Sequence, residues 1–229
     1  RTMDWPLPLA VAKTMRVLPR GMNAPRPDAL RELRDFNRKP VWLALGIGAI
    51  GFAGMFCVFS YLTPTLVHVT GVRETFVPFG LVAFGIGGIL GTLGGGWLFD
   101  RFQFRAVPML LVWSIVVLLV FPFAAKSPWT VLPSVLAVGT MGALATVLQA
   151  HLMDVAREAQ TLAAASNHSA FNFANALGPW LGGMAITAGY GWTSTGVVGA
   201  ATAVCGLLIY AWARADLRRG EAVAVEEAA

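Results

Sequence analysis

The chain has 229 residues, 56% of them hydrophobic and 13% charged, with a mean hydropathy of +0.65 and a formal net charge of +5. Soluble domains carry about a quarter of their residues as Asp, Glu, Lys and Arg, so an ordinary water-soluble fold is excluded and lipid is the expected solvent. Nucleic acid is not an expected partner, because the basic residues form no patch interleaved with aromatics.

Residues 1–40 are a basic, proline-punctuated segment, too polar to span, with Pro6, Pro8, Pro19, Pro25, Pro27 and Pro40 along it. The apolar patch from Leu7 to Val11 is too short for a signal-peptide core. Within the segment, Asp28 to Phe36 (DALRELRDF) has the spacing of a short amphipathic helix that could lie on the inner membrane surface.

Six apolar runs follow, at about 41 to 66, 76 to 99, 107 to 125, 129 to 152, 162 to 188 and 192 to 213. A helix needs roughly 20 apolar residues to cross a hydrocarbon core, which each run approximates. Strict apolar alternation is missing, so a β-barrel is not expected, and residues 41–213 read as an all-α polytopic bundle of six transmembrane helices. Residues 214–229 form a tail whose acidic, alanine-rich end after Arg219 is expected to lack regular structure.

Charge placement predicts orientation. With both termini cytoplasmic, 15 of the 17 Lys and Arg residues fall on the inner side, and only Arg73 and Lys126 on the outer. Trp42, Trp97 and Trp212 then mark the inner interface, and Trp129, Tyr190 and Trp192 the outer one. Cys57 and Cys205 lie inside apolar runs and read as packing residues.

Sliding the chain against itself by 88 residues places Ala49 to Gly54 on Ala137 to Gly142, and Gly94-Gly95 on Gly182-Gly183. The offset spans three runs, and an odd number per repeat inverts the second copy across the membrane, a ground plan of secondary transporters. In the second run Gly87, Gly91 and Gly95 recur every four residues, and Gly178 and Gly182 repeat the device in the fifth beside Pro179. Such faces let helix backbones approach closely, and the proline permits a kink.

Polarity is concentrated in the fifth run, with Asn167, His168, Ser169, Asn172 and Asn175, whereas the third has almost none and the sixth only scattered hydroxyls. At about 100° per residue, His168, Asn172, Asn175, Pro179 and Gly182 fall on one stripe. Amides in lipid must bond to other helices or face a watery cavity, so Asn172 and Asn175 are candidate path residues, joined by Gln149 and Tyr61. His168 is the ionisable residue well inside a run, and its pKa range would suit a proton carrier. His151 and Asp154 end the fourth run and read as a helix terminus; no metal site, no cofactor and no nucleophile–base pair at one depth is expected, and the chain reads as no enzyme.

The stretch from Gly96 to Arg105 (GWLFDRFQFR) resembles the cytoplasmic G-x-x-x-D-R-x-G-x-R loop of major facilitator superfamily transporters, with Gln103 where the family usually has glycine. The stretch from Asn167 to Gly183 is similar to the matching helix of drug and sugar efflux members, the arabinose-efflux type. The resemblance covers about residues 28–213 and implies that the six runs correspond to helices seven to twelve of a twelve-helix fold. It implies a missing N-terminal half, a small-molecule substrate exported by alternating access with proton antiport, and a cytoplasmic gate formed by Gly96, Asp100, Arg101 and Arg105. The third and sixth runs would then stay outside while the others line the path. The open alternatives are an inactive remnant, a half-size transporter working as a dimer with a second copy, and a non-transporting membrane partner.

Overall fold

The computed structural model describes residues 39–156 and 159–227, with side chains through Asp216. Residues 1–38 of the basic N-terminal segment, with the amphipathic stretch, lie outside these residues, and the segment's last two begin the first helix. Among the described residues there is no strand, and the helices follow one another as six consecutive rods.

The first rod is composite. It begins with α1 (Lys39–Gly46), passes through a π-helical turn at Ile47–Gly51, and continues as α2 (Ala53–Ser60). Tyr61 breaks the helix with φ −107° and ψ 15°, after which α3 (Leu62–Thr65) and a second π turn, Leu66–Thr70, complete the rod. The second and third rods are α4 (Val77–Phe102) and α5 (Ala106–Ala124). The fourth is split by a turn at Met141 and Gly142 into α6 (Pro128–Thr140) and α7 (Ala143–Val155). The fifth is α8 (Gln160–Ala185), ending in a π turn at Ile186–Tyr190, and the sixth is α9 (Ser194–Glu227). Contrary to the sequence expectation, the tail beyond Arg219 is not irregular, for α9 runs through it. Alanine and glutamate, which fill that stretch, are strong helix formers and no glycine or proline follows Gly220 to stop them.

The core is made of aliphatic side chains from the first, third and fourth rods, with Ile47, Leu62, Leu111, Leu118, Leu144 and Leu148 fully buried. The outward faces are equally apolar. On α4 and α5, Leu93 is 70% exposed, Phe123 73% and Val120 52%. A soluble protein rarely leaves such a surface in water, whereas hydrocarbon accepts it. Four stretches are long and apolar enough to cross a bilayer: Lys39–Ser60, Glu74–Ala124, which holds both α4 and α5, Pro128–Val155 and Ser194–Asp216. The chain is therefore an all-α polytopic membrane protein. α8 is not one of the four, because its amides, histidine and glycines dilute its apolar residues.

Glycine sets the spacing between rods. A Cβ at Gly87 would lie 2.0 Å from the Leu136 carbonyl oxygen, one at Gly91 2.6 Å from that of Thr140, and one at Gly95 2.7 Å from that of Ala143. These three therefore hold α4 against both halves of the fourth rod at backbone contact. On the opposite side of the bundle Gly178 meets the Ala53 carbonyl oxygen, and Gly182 meets Cys57 and the Tyr61 ring. The first rod is clasped from its other flank by α9, where Gly54 meets Gly199 and Gly51 meets Gly206.

The turn between α4 and α5 contains the one non-glycine residue with positive φ among the described residues, Gln103, at φ 51° and ψ −139°. This is where the loop motif usually carries glycine. A side chain there is strained, by an amount on the order of 1 kcal/mol or more. Gln103→Gly is expected to raise the thermal midpoint of the detergent-solubilised chain by a few degrees, read by fluorescence-detected size exclusion after heating; an unchanged or lower midpoint would show that the turn relaxes without cost.

Candidate substrate path

The polar residues of α8 divide between two faces. Asn167 is 2% exposed and points into the bundle, along the buried line of Ala163, Ala170, Ala174, Gly178 and Gly182. Its Nδ2 donates to Oε1 of Gln149 on α7, while its Oδ1 is buried without a donor. Gln149, expected on the path, is thus half-buried and tied across the helix pair. Asn167 is the bundle's interhelical amide, and the sequence signal for it was present only as one asparagine among several.

His168, Asn172 and Asn175 are exposed on the other face, and Pro179 is half-exposed. The stripe drawn from the sequence therefore ends before Gly182, which is buried against the first rod. The reason is geometric: at about 100° per residue Gly182 lies at the edge of the stripe nearest the bundle, where α8 leans on α2. Pro179 has no N–H, so the carbonyl of Asn175 four residues earlier lacks its helical donor. Two side-chain amides thus share one exposed surface, and the backbone beneath them lacks one helical hydrogen bond.

Tyr61 stands at the far end of this surface. Its hydroxyl donates to the Pro179 carbonyl at 2.9 Å, and its ring lies against Gly182, where a Cβ would come within 3.1 Å. The break in the first rod places the ring there, and Trp192 lies beside it at 6.2 Å between centroids. Tyr61 is therefore half-buried and braces the proline-containing turn of α8, with an open concavity of about 600 Å³ next to it bounded by Pro179, Trp180, Gly183 and Thr187.

At the opposite end of the bundle, Asp100 and Arg101 close α4 and Arg105 precedes α5; all three are exposed and, among the described residues, form no ion pair. Gly96 has open space around its Cα. Lys39 and Asp216 pair at 2.5 Å, joining the first and last rods there, and the Lys39 ammonium lies 5.1 Å from the centre of the Trp212 ring. His151 stacks on Phe104 at 3.8 Å between ring centroids. Among the described residues no group of three or more His, Cys, Asp and Glu side chains converges on a metal position.

A glycine-packed helical bundle with lipid-type outer faces and one polar exposed helix face is the architecture of a polytopic membrane protein with a polar face to cover. Residues 43–228 match the family model described as Major Facilitator Superfamily, and the chain belongs to that family. It is 35% identical over 193 residues to the inner membrane transport protein YdhP of Escherichia coli, covering 84% of this chain and 50% of that protein. It is 31% identical to the Escherichia coli protein AraJ, over 70% of this chain and 41% of AraJ. A chloramphenicol resistance protein of Streptomyces lividans is 32% identical over 67% of this chain and 39% of its own length. The chain spans about half the length of the curated relatives it matches. No solved structure matches it.

Proposed function

We propose that this chain is one six-helix half, equivalent to the C-terminal half, of a secondary transporter that exports a small organic molecule of drug-like or sugar-like kind. The observation that carries the reading is the exposed face of α8. Asn172 and Asn175 stand uncovered at membrane depth, and burying such amides in hydrocarbon costs several kcal/mol each. Water or a partner bundle must cover them. That bundle is a further six helices of the same protein or a second copy, and the cargo moves between the two bundles by alternating access. The relatives named as transport proteins support transport, and the one named for chloramphenicol resistance supports outward movement of a drug-like molecule.

In this reading the chain sits in the inner (plasma) membrane with both termini cytoplasmic and six crossings, as the 15-to-2 distribution of basic residues favours. α8 is held in the bilayer by its neighbours despite its polarity. Asp100, Arg101 and Arg105, exposed and in no ion pair among the described residues, brace the cytoplasmic gate against the partner bundle. Export runs on proton antiport. The test is expression of the intact gene in an efflux-deficient bacterium with labelled chloramphenicol. Accumulation is expected to fall several-fold and to be restored by a protonophore. Unchanged accumulation of chloramphenicol and of a panel of drugs and sugars would overturn the reading.

A further inference from the structure

The membrane body of this chain holds no fixed charge. The stretches 41–72, 75–99, 106–125, 127–153 and 159–213 contain no Asp, Glu, Lys or Arg. What the exposed face of α8 offers is neutral and polar: the Asn172 and Asn175 amides. The concavity of about 600 Å³ adjoining Pro179 adds Trp180 and Met184 as apolar wall and Thr187 as a hydroxyl. His168, one turn before Asn172, is the ionisable side chain on that face, and in its neutral form it both donates and accepts.

A charge buried without a counter-charge in a low-dielectric site is far more costly than a neutral group that finds hydrogen bonds. Asparagine amides offer two donors and two acceptor lone pairs each, the complement of hydroxyl and amide groups rather than of an ammonium or carboxylate. We infer that the part of the cargo held by this half is uncharged, carries hydroxyl or amide groups that bond Asn172 and Asn175, and lays an apolar or aromatic portion against Trp180. The inference rests on the transport reading only in taking this face of α8 as the cargo side.

The test is equilibrium binding to the intact gene product in lipid nanodiscs, using two neutral probes, chloramphenicol and phenyl β-glucoside, against the anionic chloramphenicol succinate and the cationic tetraphenylphosphonium. At least one neutral probe is expected to bind at least tenfold more tightly than both charged ones. Asn172→Leu combined with Asn175→Leu is expected to weaken it at least tenfold, and Asn175→Gln to restore most of the binding. The charged-to-neutral ratio needs no variant, so it stands if the double substitution fails to fold. A charged probe binding as tightly as the neutral ones, no neutral binding at all, or neutral binding untouched by a well-folded double variant would overturn the inference. Neutral binding in a protein that exports nothing would support it while removing the transport reading.

Discussion

Gly87→Ala is expected to destabilise the bundle by about 2 kcal/mol, while Gly85→Ala, two residues earlier on the same helix, is expected to be neutral or stabilising by up to about 1 kcal/mol. Alanine is the better helix former at both sites, so propensity alone predicts two gains. Packing reverses one of them. The Cβ added at Gly87 would sit 2.0 Å from the Leu136 carbonyl oxygen and 3.0 Å from the Gly139 Cα, both backbone atoms that yield only if α4 and α6 separate. The Cβ added at Gly85 meets nothing within 4 Å. Separation would also open the contacts at Gly91 and Gly95, so the loss is shared along the helix pair. Thermal midpoints in one detergent, measured side by side, distinguish the two. Equal shifts for both variants would mean that the close approach of α4 to the fourth rod is absent from the folded protein.

The second large effect concerns function. Asn172→Leu combined with Asn175→Leu should reduce export at least tenfold while leaving the folded yield unchanged or higher. Each amide that bonds cargo or water in the path contributes about 1–1.5 kcal/mol, so losing two lowers the rate or affinity by roughly 30- to 150-fold. Neither amide makes a hydrogen bond among the described residues, so folding gains apolar surface and loses no bond seen there. The contrast is Asn167→Leu. That side chain is buried and donates to Gln149, so its removal leaves the half-buried Gln149 oxygen without its donor and should lower stability before it touches transport. If the exposed pair instead behaved like Asn167, with yield and export falling together, the amides would be glue between bundles and the path would lie elsewhere.

Much of this architecture was legible because lipid simplifies the code. Apolar length marked the helices, and observed starts such as Val77, Ala106 and Pro128 lie within one residue of the sequence expectation. The four-residue glycine rhythm of Gly87, Gly91 and Gly95 is a periodic signal, and the structure places all three against the fourth rod. The clasp of the first rod by α9 was not read, because Gly199 and Gly206 are seven apart and their partners Gly51 and Gly54 only three, so no shared rhythm announces them. The break at Tyr61 has a local cause, since Pro64 lacks the N–H that would bond the Ser60 carbonyl four residues earlier, whereas the two π turns of the first rod carry no such mark. In the candidate site, sequence picked out α8 as the polar helix and grouped His168, Asn172 and Asn175 on one stripe, but could not say which face is buried. Asn167 and Asn172 differ by five residues, or about 140° around the helix, and only the positions of α7 and α2 decide which one is buried. Tyr61 and Gln149, singled out for their polarity, prove to be bonded to α8 rather than free.

The measurement that bears most directly on the central claim, that α8 turns a wetted face toward a path, is labelling of Asn175→Cys by a membrane-impermeant thiosulfonate in intact cells and inverted vesicles. Cys57 and Cys205 are first replaced by alanine, and Leu119→Cys on the lipid-type face of α5 serves as the reference. Position 175 is expected to label from at least one side, and more slowly under saturating chloramphenicol, while position 119 stays unlabelled. Position 175 as inert as position 119, from both sides of the membrane, would contradict it.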